Sequence, residues 1–141
     1  MADRRASATW QGDLSDGKGT VSALSSKLFS DAEVTWAART EESGGKTSPE
    51  ELIAAAHAAC FGMALSNELS SRGHTPDRLQ IEATCSFEDG KVTTMALDVT
   101  AEVPGVDEDG FREGLSAAEE SCPVSNALRG NVDIKVDGKL A

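Results

Sequence analysis

The chain is short of positive charge. Against 24 acidic residues it carries 13 Lys and Arg, a formal net charge of −11. Nucleic acid and anionic membranes gain affinity by releasing counterions to basic groups, so this balance argues against both as partners. Long hydrophobic runs are missing too: no stretch approaches the about 20 apolar residues of a membrane-crossing helix. The N-terminus, Met1-Ala2-Asp3-Arg4-Arg5-Ala6-Ser7, lacks the hydrophobic run of a signal peptide, so the expected location is the cytoplasm. Cysteine is scarce. There are three, an odd number, with no CxxC, which argues against a disulfide scaffold. In a reducing compartment a disulfide is more readily transient and catalytic than structural. Three scattered thiols and one nearby histidine also lack zinc-site spacing, so neither a metal nor a cofactor is expected.

What is present suits one globular domain spanning residues 1–141. Apolar residues make up 39% and charged residues 26%. At this length roughly two thirds of the unfolded chain's surface can be buried, enough for a core without staples.

The strongest local signal is Thr47-Ser48-Pro49-Glu50-Glu51-Leu52-Ile53-Ala54-Ala55-Ala56-His57-Ala58-Ala59-Cys60-Phe61. Ser48 reads as an N-cap, Pro49 as the first helical residue, and Glu51 as the return half of a capping box. The segment then turns apolar on nearly every face, which predicts a buried helix from about Ser48 to Ser71. Gly73 is its stop.

Around that helix the pattern is extended. Ala6 to Asp13, Lys18 to Ser22, Ser22 to Phe29 and Val34 to Arg39 read as strands. Leu79 to Phe87 and Met95 to Val103 alternate about Asp89-Gly90, a hairpin signature. Asp107 to Glu120 reads as a second helix, broken at Cys122-Pro123, with Val124 to Leu128 as a short sequel. Val132 to Val136 is a last strand. These elements predict an α+β domain with mainly antiparallel sheet. A helix apolar on all faces needs cover on both sides, which favours a homodimer.

Two thiols carry the chemical interest. Cys60 lies about three turns into its helix, too deep for the helix dipole to lower its pKa. Apolar burial would raise that pKa, so reactivity requires a nearby cation. Arg39, ending a strand before the loop into the helix, is the leading candidate. His57, one turn before Cys60, reads as a hydrogen-bonded core or pocket residue. Cys122 follows a helix break, where a thiol can be partly exposed and activated by backbone N–H groups. Cys85, on the apolar face of a strand, reads as packing. Glu50 lies ten residues before Cys60, about 15 Å along a straight helix. Either the first turn is offset, or a partner subunit supplies this carboxylate.

The run Thr47 to Leu65 resembles the core signature of the OsmC/Ohr family of peroxide-detoxifying thiol proteins, in its OsmC branch. Trp10-Gln11-Gly12-Asp13, Gly17-Lys18-Gly19-Thr20-Val21-Ser22, Glu102-Val103-Pro104-Gly105-Val106-Asp107 and Cys122-Pro123-Val124-Ser125 resemble further family segments in order. The resemblance implies an intertwined homodimer, antiparallel sheets wrapped around long central helices, and active sites at the subunit interface. It implies Cys60 as peroxidatic cysteine, Cys122 as resolving cysteine, Arg39 as activating arginine and Glu50 as its acid. The implied activity is reduction of organic hydroperoxides, and of hydrogen peroxide, through a Cys60 sulfenic acid. An external dithiol such as a lipoyl group would restore the thiols. Phe61 and Met63 are expected to wall the site for a hydrocarbon tail. The rival readings are a thiol redox sensor and an apolar-ligand carrier without turnover.

Overall fold

The computed structural model describes residues 1–141, which divide into two compact units, Met1–Leu52 and Ile53–Ala141. In the first, β1 (Ala6–Gln11), β2 (Lys18–Ala23) and β3 (Ala32–Val34) form an antiparallel sheet in that order. Trp10 pairs with Gly19 across β1 and β2. A Cβ on Gly19 would meet Trp10 Cε3 at 2.6 Å and the Thr9 carbonyl at 2.7 Å. Glycine there lets the indole close over the strand.

Two expected strands do not form. Ser22 to Phe29 is not one strand, because β2 ends at Ala23 and the chain folds back, with Lys27 and Asp31 at φ 58° and 56°. Val34 to Arg39 is interrupted at Thr35. Its hydroxyl accepts from the Ala38 N–H at 3.1 Å and starts a short helix, α1 (Trp36–Thr40). Arg39 therefore projects from a helical turn, not from a strand end.

The long helix, α2 (Pro49–Ser71), begins in the first unit and continues through the second. The Ser48 hydroxyl caps it, accepting from the Glu51 N–H at 3.2 Å. The return half of the capping box is absent, because the Glu51 carboxylate takes the Thr47 hydroxyl at 2.7 Å instead. At the other end, His74 N–H reaches Leu69 O and Gly73 N–H reaches Ser70 O, with Gly73 at φ 88°. That is a Schellman closure, which the glycine permits.

Within the second unit the buried side of α2 is His57, Phe61, Leu65 and Leu69, one residue per turn. Ala55, Ala56, Ala59 and Met63 are exposed. The expectation of a helix buried all round is thus met on one face only. By length and composition α2 could also cross a membrane, contrary to the expectation that no stretch would. It behaves instead as a core helix, with Phe61, Leu65 and Leu69 packed into the main apolar cluster.

That cluster is completed by a second sheet. β4 (Arg78–Glu88) and β5 (Lys91–Glu102) form the hairpin, with Asp89 and Gly90 both left-handed at φ 50° and 76°. This is the turn geometry that matches strand twist. Met95, Leu97, Val99 and Ala101 alternate into the core. Asp107 caps α3 (Glu108–Ser121) by accepting from Gly110 N–H at 2.7 Å, and Phe111, Leu115 and Ala118 face inward. Next come α4 (Pro123–Leu128) and β6 (Asp133–Leu140). β6 pairs with β5 in parallel, a departure from the antiparallel rule of the other strands. A parallel neighbour needs a crossover, and α3 with α4 provides it.

Candidate active site

Cys60 and Cys122 meet within the second unit. The helical period places Cys60 beside the buried row of α2, and it is half-buried against the main core. Cys122 ends α3 in an extended conformation (φ −67°, ψ 116°), because Pro123 cannot follow a helical residue comfortably. That break turns its side chain inward. It is fully buried, not partly exposed as its position beside a helix break suggested. The two thiols are near enough to act on each other's ionisation, and no disulfide joins them.

Their environments push them apart in acidity. Burial raises the Cys60 thiol above its ordinary range; the Val124 N–H opposes this, and the neighbouring Cys122 adds to it. No cation is among the groups acting on Cys60. Burial also works against ionisation of Cys122, but hydrogen bonds from the Ser125 hydroxyl and N–H, the Cys60 thiol and the Val124 N–H outweigh it. The Cys122 thiol therefore lies below its ordinary range. The Cys122 side chain makes no cap hydrogen bond at the start of α4.

Behind Cys122 stands a pair that the sequence signalled only faintly. His57 and Ser125 are both buried, and His57 Nε2 lies 2.7 Å from Ser125 Oγ. From sequence His57 reads as a core or pocket residue, and Ser125 carries no role beyond its place in the Cys122-Pro123-Val124-Ser125 motif. Their one signal was a polar residue set in each of two otherwise apolar or thiol-bearing motifs.

The first unit holds the other two candidate residues. Arg39 donates from Nε to Glu50 Oε1 and Oε2 at 3.0 and 3.2 Å, and from Nη2 to Oε1 at 2.8 Å. Glu50 is only 6% exposed, so its charge is held by this fork rather than by water. The guanidinium also lies over the Trp36 ring, 5.8 Å from its centre. Trp10, Leu14, Val34, Trp36 and Pro49 complete an apolar cavity of about 300 Å³ at Arg39. The apolar wall expected from Phe61 and Met63 is not found. Phe61 is sealed in the core and Met63 is 73% exposed. α2 runs without interruption from Pro49.

Residues 41–137 match the family model described as OsmC-like protein. Over 136 residues, 93% of each chain, the sequence is 38% identical to peroxiredoxin OsmC of Escherichia coli (strain K12). The chain belongs to the OsmC family. Another relative is the organic hydroperoxide resistance protein OhrB of Bacillus subtilis, 35% identical over 103 residues, covering 66% of this chain and 70% of that one. The crystal structure of OhrB aligns with a TM-score of 0.75 at 30% identity, over 96% of this chain and 98% of the other. The OsmC-like protein from Mycoplasma pneumoniae shares the fold, with a TM-score of 0.76 at 17% identity over 99% and 98% of the two chains.

Proposed function

We propose that this OsmC-family protein is a cysteine-based peroxidase that reduces organic hydroperoxides, and hydrogen peroxide as well. The observation that carries this reading is the pair Cys60 and Cys122, two free thiols brought near each other from 62 positions apart in sequence. The Cys60 thiolate attacks the distal oxygen of the peroxide. The O–O bond breaks, the alkoxide leaves as alcohol after taking a proton, and Cys60 becomes a sulfenic acid. Cys122 then attacks the Cys60 sulfur. The S–O bond breaks, water leaves and a disulfide forms. An external dithiol, a lipoyl group being the class expected, reduces it by exchange.

The acidity of Cys60 is the difficulty that the assembly must solve. Its thiol is raised despite the Val124 N–H, and a nearby cation would lower it into a useful range. Arg39, oriented by Glu50, is the cation proposed. Glu50 and Cys60 lie ten residues apart on α2, about 15 Å of helical rise. The reading that fits is a homodimer in which the Arg39–Glu50 pair of one subunit serves Cys60 of the other. The exposed Ala55, Ala56, Ala59 and Met63 supply an apolar face for that association. The cavity beside Arg39 then takes the hydrocarbon tail of the peroxide, which favours organic substrates. Reliance on a dithiol suits a reducing cytoplasm.

A peroxidase assay comparing hydrogen peroxide with an alkyl hydroperoxide, under a dithiol reductant, tests the reading. Repeated turnover of both, faster for the alkyl peroxide, is expected. Oxidation that stops after one equivalent would mark a redox sensor instead. Binding of apolar ligands that survives Cys60→Ser, with no peroxide consumed, would mark a carrier.

A further inference from the structure

We propose that His57 and Ser125 form a proton relay that activates Cys122 for the resolving step: Cys122 gives its proton to the Ser125 oxygen as Ser125 gives its own to His57 Nε2. The inference rests on the peroxidase reading above and adds to it two residues with no part in the first oxidation.

The geometry is specific. His57 and Ser125 are 68 positions apart, on α2 and α4, yet their polar atoms stand 2.7 Å from each other with both side chains buried. Ser125 stands three positions after Cys122, both are buried, and Ser125 favours the ionised form of the Cys122 thiol. The hydroxyl is thus placed between the sulfur and the imidazole. His57 Nδ1 is buried with no partner. Burial holds the ring below its ordinary pKa, so it rests neutral with Nε2 open to a proton.

The Cys122 S–H bond breaks as the sulfur's electron pair forms the S–S bond to Cys60. The S–O bond of the sulfenic acid breaks and hydroxide departs. The proton rests on His57 as imidazolium during attack, then neutralises the departing hydroxide through solvent, so that one water leaves. No oxidant beyond the sulfenic acid is needed.

Charged and titratable groups around the relay are few. Cys60 and Cys122 lie at its sulfur end. Glu119, Arg129 and Asp133 share with Ser125 a cavity of about 240 Å³. Burial pushes the Glu119 carboxyl up, with Arg129 opposing. Of the two carboxylates there, Glu119 is the one that burial pushes toward holding a proton, and it serves as the control.

The test is a single-turnover experiment on the full chain. One equivalent of alkyl hydroperoxide is added at a series of pH values, and Cys60 oxidation and Cys60–Cys122 pairing are followed separately by quenched intact-mass measurement. His57→Gln keeps an N–H near the Nε2 position but cannot take a proton. It should slow pairing by about 10- to 100-fold at pH 7, relative to its own Cys60 oxidation, with the gap closing as pH rises and the thiol ionises unaided. Ser125→Ala should give the same pH-dependent loss, Ser125→Thr should restore pairing, and Glu119→Gln should leave the profile unchanged. Pairing in His57→Gln at the unaltered rate at every pH overturns the relay. So does an equal slowing at all pH, which marks a structural tie, or a profile moved by Glu119→Gln. If the unaltered protein shows no Cys60 oxidation at all, the peroxidase reading itself fails and takes the relay with it.

Discussion

Arg39 holds Glu50 by a two-nitrogen fork in which the carboxylate is almost wholly removed from water. Each charge depends on the other. An unpaired buried carboxylate costs far more than the pair gains, so removing the arginine leaves a strained acid at the start of α2. Glu50→Gln keeps the shape but weakens the grip on the guanidinium.

Arg39→Ala and Glu50→Gln should therefore both slow the first oxidation and raise the pKa of Cys60, with Arg39→Ala the more severe. About 10²- to 10³-fold is expected for Arg39→Ala, the usual cost of losing one charge-stabilising donor. Stopped-flow rates of thiol oxidation against pH are the measurement. An unchanged profile would remove the pair from the mechanism.

Cys60→Ser should abolish turnover, whereas Cys122→Ser should still oxidise once. Without its partner, Cys60 sulfenic acid then climbs to sulfinic and sulfonic states. Mass increments of two and three oxygens after excess peroxide would register this. Normal turnover by Cys122→Ser with a dithiol would show that Cys122 does not resolve the intermediate.

Gly19→Ala forces a methyl group into the Trp10 ring and the Thr9 carbonyl, 2.6 and 2.7 Å away. The ring must swing from the cavity it lines with Arg39. A loss of about 1–3 kcal/mol in stability is expected. In activity, KM for a bulky alkyl hydroperoxide should rise while that for hydrogen peroxide stays nearly constant. Parallel changes for both substrates would show that the cavity does not hold the tail.

Stability should also depend on pH through His57. Burial lowers its pKa from the ordinary 6.5. Below pH 6.5 the unfolded chain takes up a proton that the folded chain refuses, so equilibrium shifts toward unfolding. The contribution is complete above that pH and is lost as pH falls toward the lower, folded value. Urea midpoints should drop between pH 7 and pH 5, and His57→Gln should flatten that slope. An equally steep slope in the variant would assign the acid sensitivity elsewhere.

Much of this was legible from the residues. The hairpin about Asp89-Gly90, the helix from Pro49 and the break at Cys122-Pro123 each rest on local chemistry, and local chemistry decided them. Arg39 was misplaced on a strand because Val34-Thr35-Trp36 has β-forming side chains, while the Thr35 hydroxyl, acting as a cap, won. Burial of Cys122 and the meeting of His57 with Ser125 depend on how α4 settles against α2. No window of sequence contains that. The parallel seat of β6 was equally hidden, since alternation gives a strand's faces but not its direction.

That last seat governs how the molecule is made. Cys122 travels on the connection between β5 and β6, so the strand that follows it holds the far end of the segment that carries it. During synthesis the earlier thiol emerges well before its mate. A chain truncated before Asp133 would lose the anchor of that connection and be left with an oxidisable sulfur and nothing to rescue it.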